Sequence, residues 1–202
     1  MIGCLIGNMK KLHTSSIGLI VSNLIVIGLA VWQGWDFSVV IWGYWAQSVI
    51  IGLFHAKRMV SLKKFSVEGM NVNGVPVKPT MKAKKSAASF FLLHYGIFHF
   101  VYLVFLIILA WPEMSAWGSI GLFALVFFVN HAITYKFTRK KDDETGQHLG
   151  KLFFLPYPRI LPMHLIVILG LILGKGMVGM VFFLLVKTVA DVITDGLEEK
   201  MG

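Results

Sequence analysis

Apolar residues run along this chain in six blocks, each closed by a glycine, a proline or a cluster of charge. The blocks cover residues 14–32, 37–56, 86–110, 115–135, 160–173 and 177–192. A helix needs about 20 apolar residues to cross the roughly 30 Å hydrocarbon core of a bilayer, and the first four blocks meet that length. Short breaker-rich turns join them in pairs: Gln33-Gly34-Trp35-Asp36, Trp111-Pro112-Glu113-Met114 and Gly174-Lys175-Gly176. The pattern predicts an all-α integral membrane bundle of six transmembrane helices in three hairpins, with residues 1–202 forming one transmembrane domain. The fifth block would reach only about 21 Å as a helix, with Pro162 tolerated in its first turn. Two short spans are the expected form of the last hairpin, and a re-entrant loop is the alternative.

Composition agrees with the pattern. Of 202 residues, 56% are hydrophobic and 14% charged, where soluble domains carry about a quarter charged residues. The net charge of +9 would suit a nucleic-acid surface in a soluble protein, but its distribution points elsewhere. Lys and Arg gather in the N-terminal stub and in the two long connections, 57–85 and 136–159, whereas the short turns hold one, Lys175. Positive charge stays cytoplasmic, so both termini and both long loops are expected inside, in the cell membrane. The bilayer itself and its anionic lipids at the cytoplasmic face become the expected partners, and nucleic acid does not.

The six tryptophans, Trp32, Trp35, Trp42, Trp45, Trp111 and Trp117, fall at the outer ends of the first two hairpins, as an interfacial belt requires. Trp42 and Trp45, three apart with Tyr44 beside them, could also wall a flat apolar ligand such as a quinone. The first block lacks a small-residue cleavage site and reads as an uncleaved span. Lone Cys4 has no partner for a disulfide or a CxxC motif. In the first long loop, alternating apolar positions around Asn73-Gly74 signal a two-residue β-hairpin with Pro76 on an edge; a disordered basic loop is the alternative.

Ionisable side chains inside a membrane are costly and tend to face the bundle interior. The spans contain His55, His94, His99, His131, His164, Lys187 and Asp191, with Gln47, Ser48, Asn23 and Asn130 as neutral company. His94 and His131 stand at nearly equal distances on either side of Glu113, so neighbouring antiparallel helices would bring them to one depth. His99 is rotated about 140° from His94 and is expected to pair with Tyr95 or Tyr102. Around Lys175, counting predicts an Arg159–Asp191 ion pair and a deeper His164–Lys187 pair. His55, His94, His131 and His164 all lie within about two turns of the cytoplasm. Neutral imidazole with a carboxylate suits a transition metal, so His94, His131, His164 and Asp191 are the candidate metal or ligand residues, supported by His55, Gln47, Arg159 and Lys187. Bis-His haem ligation by His94 and His131 is less favoured.

Four stretches together carry a family likeness: Phe90-Phe91-Leu92-Leu93-His94-Tyr95-Gly96-Ile97-Phe98-His99, Pro156 to His164, Tyr44 to Gly52, and Lys187-Thr188-Val189-Ala190-Asp191. With them the chain resembles an uncharacterised prokaryotic multi-pass membrane family known only as a domain of unknown function. That resemblance implies the membrane class and no activity. It also implies an acidic residue in the second span, where this chain has Gln47, which speaks against carboxylate chemistry at that point.

The expected function is therefore a multi-pass membrane protein that binds a metal ion or small ligand in a cytoplasm-facing His/Asp pocket. The alternatives are a small ion- or proton-coupled transporter, and a structural or partner-binding subunit, possible as a homo-oligomer through the Gly170/Gly174 packing face. No catalytic signature decides whether it is an enzyme.

Overall fold

The computed structural model describes residues 14–161, 164, 186–191, 193, 194 and 196. Its main elements are helices α1 (Thr14–Trp32), α2 (Phe37–Ser61), α3 (Met81–Leu109) and α4 (Trp117–Thr145). Two-residue strands β1 (Phe65–Ser66), β2 (Asn71–Val72) and β3 (Val75–Pro76) lie between α2 and α3. Strand β4 (Gln147–His148), helix α5 (Leu149–Phe154) and a 3-10 turn (Tyr157–Ile160) follow α4. Residues 186–191 are helical.

Three helical stretches among the described residues are long and apolar enough to cross a membrane: Phe37–Ser61, Met81–Leu109 and Met114–Thr145. Their exposed faces carry Leu93, Phe100, Ile108 and Leu125, which water would not tolerate as a continuous surface and lipid does. The fifth and sixth expected spans fall almost wholly outside the described residues.

Helix ends follow local chemistry. Thr80 caps α3 by accepting the Ala83 amide at 3.2 Å, satisfying a donor the first turn leaves open. Gly146, with φ +76°, ends α4, and its amide donates to the Asp142 carbonyl at 2.9 Å. Helices α3 and α4 each have 29 residues, about 43 Å of helix, so they outrun the apolar core. Their surplus turns carry Lys82, Lys84 and Lys85 on α3, and Lys136, Arg139, Lys140 and Lys141 on α4. Much of what reads as basic loop is thus helix continued past the membrane.

Helix α2 is the centre of the bundle. More than half of its apolar window is buried, against about a fifth for α3 and α4. It packs on both, and these two make little contact with each other. This corrects the expectation that α3 and α4, joined by a short turn, pack as neighbours. The physical reason lies in two glycines. A Cβ on Gly43 would sit 2.5 Å from the Phe123 ring of α4, and one on Gly52 would sit 2.6 Å from the Tyr95 ring of α3. Nine residues at 100° each place Gly43 and Gly52 on opposite faces, so one helix nests against each side. Helix α1 packs on α4.

At the α2 N-terminal end, Trp42 meets Trp45, Trp111 and Trp117 edge-on, with centroids 5.3–6.0 Å apart. Its indole N–H donates to the Ala110 carbonyl at 2.7 Å. The tryptophans pack against one another, so the Trp42 ring is engaged by protein where a flat ligand was entertained. At the opposite end, β2 and β3 pair antiparallel around Asn73 (φ +51°) and Gly74 (φ +78°), the left-handed pair of a type I′ turn. Unforeseen in the sequence, β1 pairs in parallel with β4 and ties the two long connections together.

Candidate functional site

One face of α2 carries Tyr44, Gln47, Ser48, His55 and Arg58, all buried, at spacings that keep them within about a third of the helix circumference. Gln47 is about 15 Å along the helix from Phe37, halfway through a core of about 30 Å. Around this stripe the polar groups form separate sets.

The first set lies at the depth of Tyr44. Lys187 Nζ donates to Asp191 Oδ2 at 2.5 Å, and the two side chains are 3% and 1% exposed. Asn23 Nδ2 of α1 donates to the same carboxylate oxygen at 3.3 Å, and Tyr44 OH donates to Asn23 Oδ1 at 3.5 Å. The Lys187 ammonium also stands over the Tyr44 ring, 5.1 Å from its centroid, a cation–π placement. One turn along α2, Gln47 is 0% exposed, and among the described residues neither Nε2 nor Oε1 of its amide has a hydrogen-bond partner. Native proteins rarely leave such groups unsatisfied without a functional reason or a bound molecule.

The second set joins α2 to α3. His99 Nδ1 lies 2.8 Å from the Tyr95 carbonyl, so it must carry the ring proton. Nε2 is then an acceptor and takes the Ser48 hydroxyl at 2.8 Å. Tyr95 OH donates to the Ser48 carbonyl at 3.0 Å, and the Tyr95 and His99 rings stack at 4.2 Å. The expected pairing of His99 with Tyr95 is what the structure contains.

The third set closes the end of the bundle that carries the basic extensions of α3 and α4. Arg58 Nε and Nη2 donate to the two oxygens of Asp142 at 2.7 and 2.8 Å. His55 Nε2 donates to the Leu152 carbonyl at 2.6 Å, and Lys84 Nζ to the Leu62 carbonyl at 2.5 Å.

A family model, described as a family of unknown function (DUF6498), matches residues 7–201. The chain belongs to this family. No curated protein and no solved structure matches it. Membership in DUF6498 accounts for nearly the whole chain and assigns no activity, so any chemistry must come from the side chains themselves.

The histidines singled out in this DUF6498 chain take separate places. His94 is on the exposed side of α3, with Nδ1 bonded to Tyr157 OH at 2.6 Å. Burial raises the Tyr157 phenol above its ordinary pKa, so it stays protonated. His164 bonds through Nδ1 to Tyr102 OH. His131 is buried on α4, one turn beyond Phe127. Among the described residues, no three His, Cys, Asp or Glu side chains are grouped so as to hold a metal ion. The expected His164–Lys187 pairing is replaced by His164 with Tyr102 and Lys187 with Asp191. The reason is spacing: Lys187 and Asp191 are one turn apart on the same face of one helix. The expected Arg159–Asp191 pair cannot be compared, because the Arg159 side chain lies outside the described residues. Of the eight residues marked from the sequence, the structure brings Lys187 and Asp191 together, with Gln47 one turn from their partner Tyr44. Asn23 and Tyr44 complete the set; both lay in view as polar positions inside apolar runs.

Proposed function

We propose that this protein is a six-span carrier of the cell membrane, with both termini and both basic connections on the cytoplasmic side. In this reading Asp191 is the ionisable group through which a proton or small ion is coupled to movement. The observation that carries it is the Lys187–Asp191 pair, sealed from solvent at 2.5 Å. Taking two charges out of water costs several kcal/mol per ion, and the Lys187–Asp191 bond itself joins two residues of one helix, its reach to α1 and α2 running through Asn23 and the Tyr44 ring. Charges kept inside a membrane under those conditions mark ion or proton pathways. Protonating Asp191 would release Lys187 from it, which couples occupancy of the carboxylate to a change in a fully buried contact.

Two features of the surroundings fit a carrier. The basic extensions of α3 and α4 give it a layer for anionic lipid headgroups, and the Gly170/Gly174 face, outside the described residues, is the proposed contact for a second copy. The metal-site alternative is not carried forward, since among the described residues no three metal-ligating side chains are grouped.

Reconstituted protein tests the proposal. In liposomes loaded with a pH dye and given a membrane potential, the wild type is expected to move protons or the accompanying monovalent ion, and Asp191→Asn to abolish that flux. Wild-type vesicles no more permeable than protein-free ones to protons, Na⁺ and K⁺ would sink the carrier reading.

A further inference from the structure

Lys187 places a primary ammonium in a cage made by other residues. One carboxylate oxygen receives it at 2.5 Å, an aromatic face lies beneath it at 5.1 Å, and the Asn23 amide holds the carboxylate from a second helix at 3.3 Å. One turn along α2 from that aromatic ring, Gln47 keeps a carbonyl acceptor and an amide donor without partners and fully buried. We propose that this cage is a recognition site for a small organic cation bearing N–H donors, a primary ammonium above all, and that Lys187 occupies it as a tethered stand-in. The inference rests on the carrier reading and names the class of solute for it.

The chemistry separates this class from bare metal cations. Na⁺ and K⁺ gain from several short oxygen contacts, whereas an ammonium gains from a carboxylate, a ring face and directional acceptors for its remaining N–H groups. The cage offers the second kind of set. The Lys187–Asp191 bond lies within one helix, at i+4, so exchange of the ammonium leaves the Asn23 tie to the carboxylate in place. The flexible four-carbon stem of Lys187 lets the ammonium swing while the backbone stays put. An arriving ammonium would then meet Asp191 and the Tyr44 face, with the buried Gln47 amide one turn along α2.

Removing the stand-in tests the cage without requiring transport. Lys187→Ala in the full chain, purified in detergent, leaves Asp191 without the ammonium and is expected to lower the thermal midpoint. Ethylammonium, which replaces the lost end of the side chain, should restore most of that loss in a saturable manner. Tetramethylammonium, Na⁺ and K⁺ at equal ionic strength should not, and Lys187→Ala/Asp191→Ala should not respond. Equal responses to all four salts, or none to ethylammonium, would overturn the proposal. Where Lys187→Ala does not survive purification, the same salts are supplied during solubilisation. Monodisperse protein recovered with ethylammonium alone supports the site, and recovery with none of the salts, or with all alike, overturns it. Rescue without flux in liposomes keeps the ammonium site and removes the carrier; flux without rescue does the reverse.

Discussion

Two buried ion pairs of similar short length do opposite jobs in this molecule. Arg58 and Asp142 are 84 positions apart and join α2 to α4 through two parallel hydrogen bonds. Their side chains are 10% and 3% exposed, at the end of the helices that carries the basic extensions, where water is close. Lys187 and Asp191 are one turn apart on one helix, joined at 2.5 Å with side chains 3% and 1% exposed. The first pair repays its desolvation by fixing two helices in register, through the fork geometry that suits arginine to carboxylate. The bond of the second lies within one helix, and its reach to α1 and α2 runs through Asn23 and the Tyr44 ring, so it ties helices less directly than the first. Burial of charge alone therefore says little about function; what the pair connects says more.

The largest expected effect is on the structural pair. Arg58→Ala strands a nearly buried Asp142 and is expected to cost about 3–5 kcal/mol, read as loss of thermal midpoint or of monodisperse protein. Arg58→Lys should recover only part of it, since an ammonium cannot form both bonds. A variant as stable as the wild type would erase the contrast, because the tie between α2 and α4 would then be doing no more than the Lys187–Asp191 pair.

How far these pairs could be read from the sequence differs for a physical reason. Helices α1 to α4 were legible because apolar runs of membrane length and their Gly and Pro punctuation are local signals, and Asn73-Gly74 gave the hairpin for the same reason. His99 with Tyr95 and Lys187 with Asp191 are i, i+4 neighbours, the spacing that makes helical residues meet; the first was foreseen, and the second was displaced by counting depths across a hairpin. Arg58 with Asp142 has no local signature at all. Neither has the parallel pairing of β1 with β4, since two-residue strands are too short to show a period. The placement of α2 between α3 and α4 did leave a trace, in Gly43 and Gly52 half a turn apart, but a glycine becomes a packing statement only once its neighbours are known. Among the described residues the histidines do not gather into a metal-holding group, and equal depth in the sequence does not fix the direction in which a helix turns its side chains.

A middle-sized effect sharpens the contrast from the other side. Replacing both members of the Lys187–Asp191 pair, Lys187→Met with Asp191→Leu, removes two buried charges and should leave stability within about 1 kcal/mol of the wild type or above it. Either replacement alone should be less stable than both together, because each leaves one charge without its partner. Coupled flux should vanish in all three. If the double variant instead unfolds as readily as Arg58→Ala, the Lys187–Asp191 pair is structural after all.

The smallest effect concerns Gln47, which shares the buried face of α2 with Tyr44. Leaving a buried polar group without a partner costs about 1–3 kcal/mol, so Gln47→Leu, close in volume and without polar atoms, removes a penalty that the wild type carries. Imperfect shape should return up to about 1 kcal/mol of that gain, and the net expectation is a thermal midpoint equal to the wild type or slightly higher. A side chain kept only for packing would show the reverse, a drop on losing its amide. The flux assay supplies the second axis: a variant that is no less stable yet carries less places Gln47 with Lys187 and Asp191 among residues held for what they bind. One that loses stability and flux together would put it with Arg58 and Asp142, among those held for what they tie.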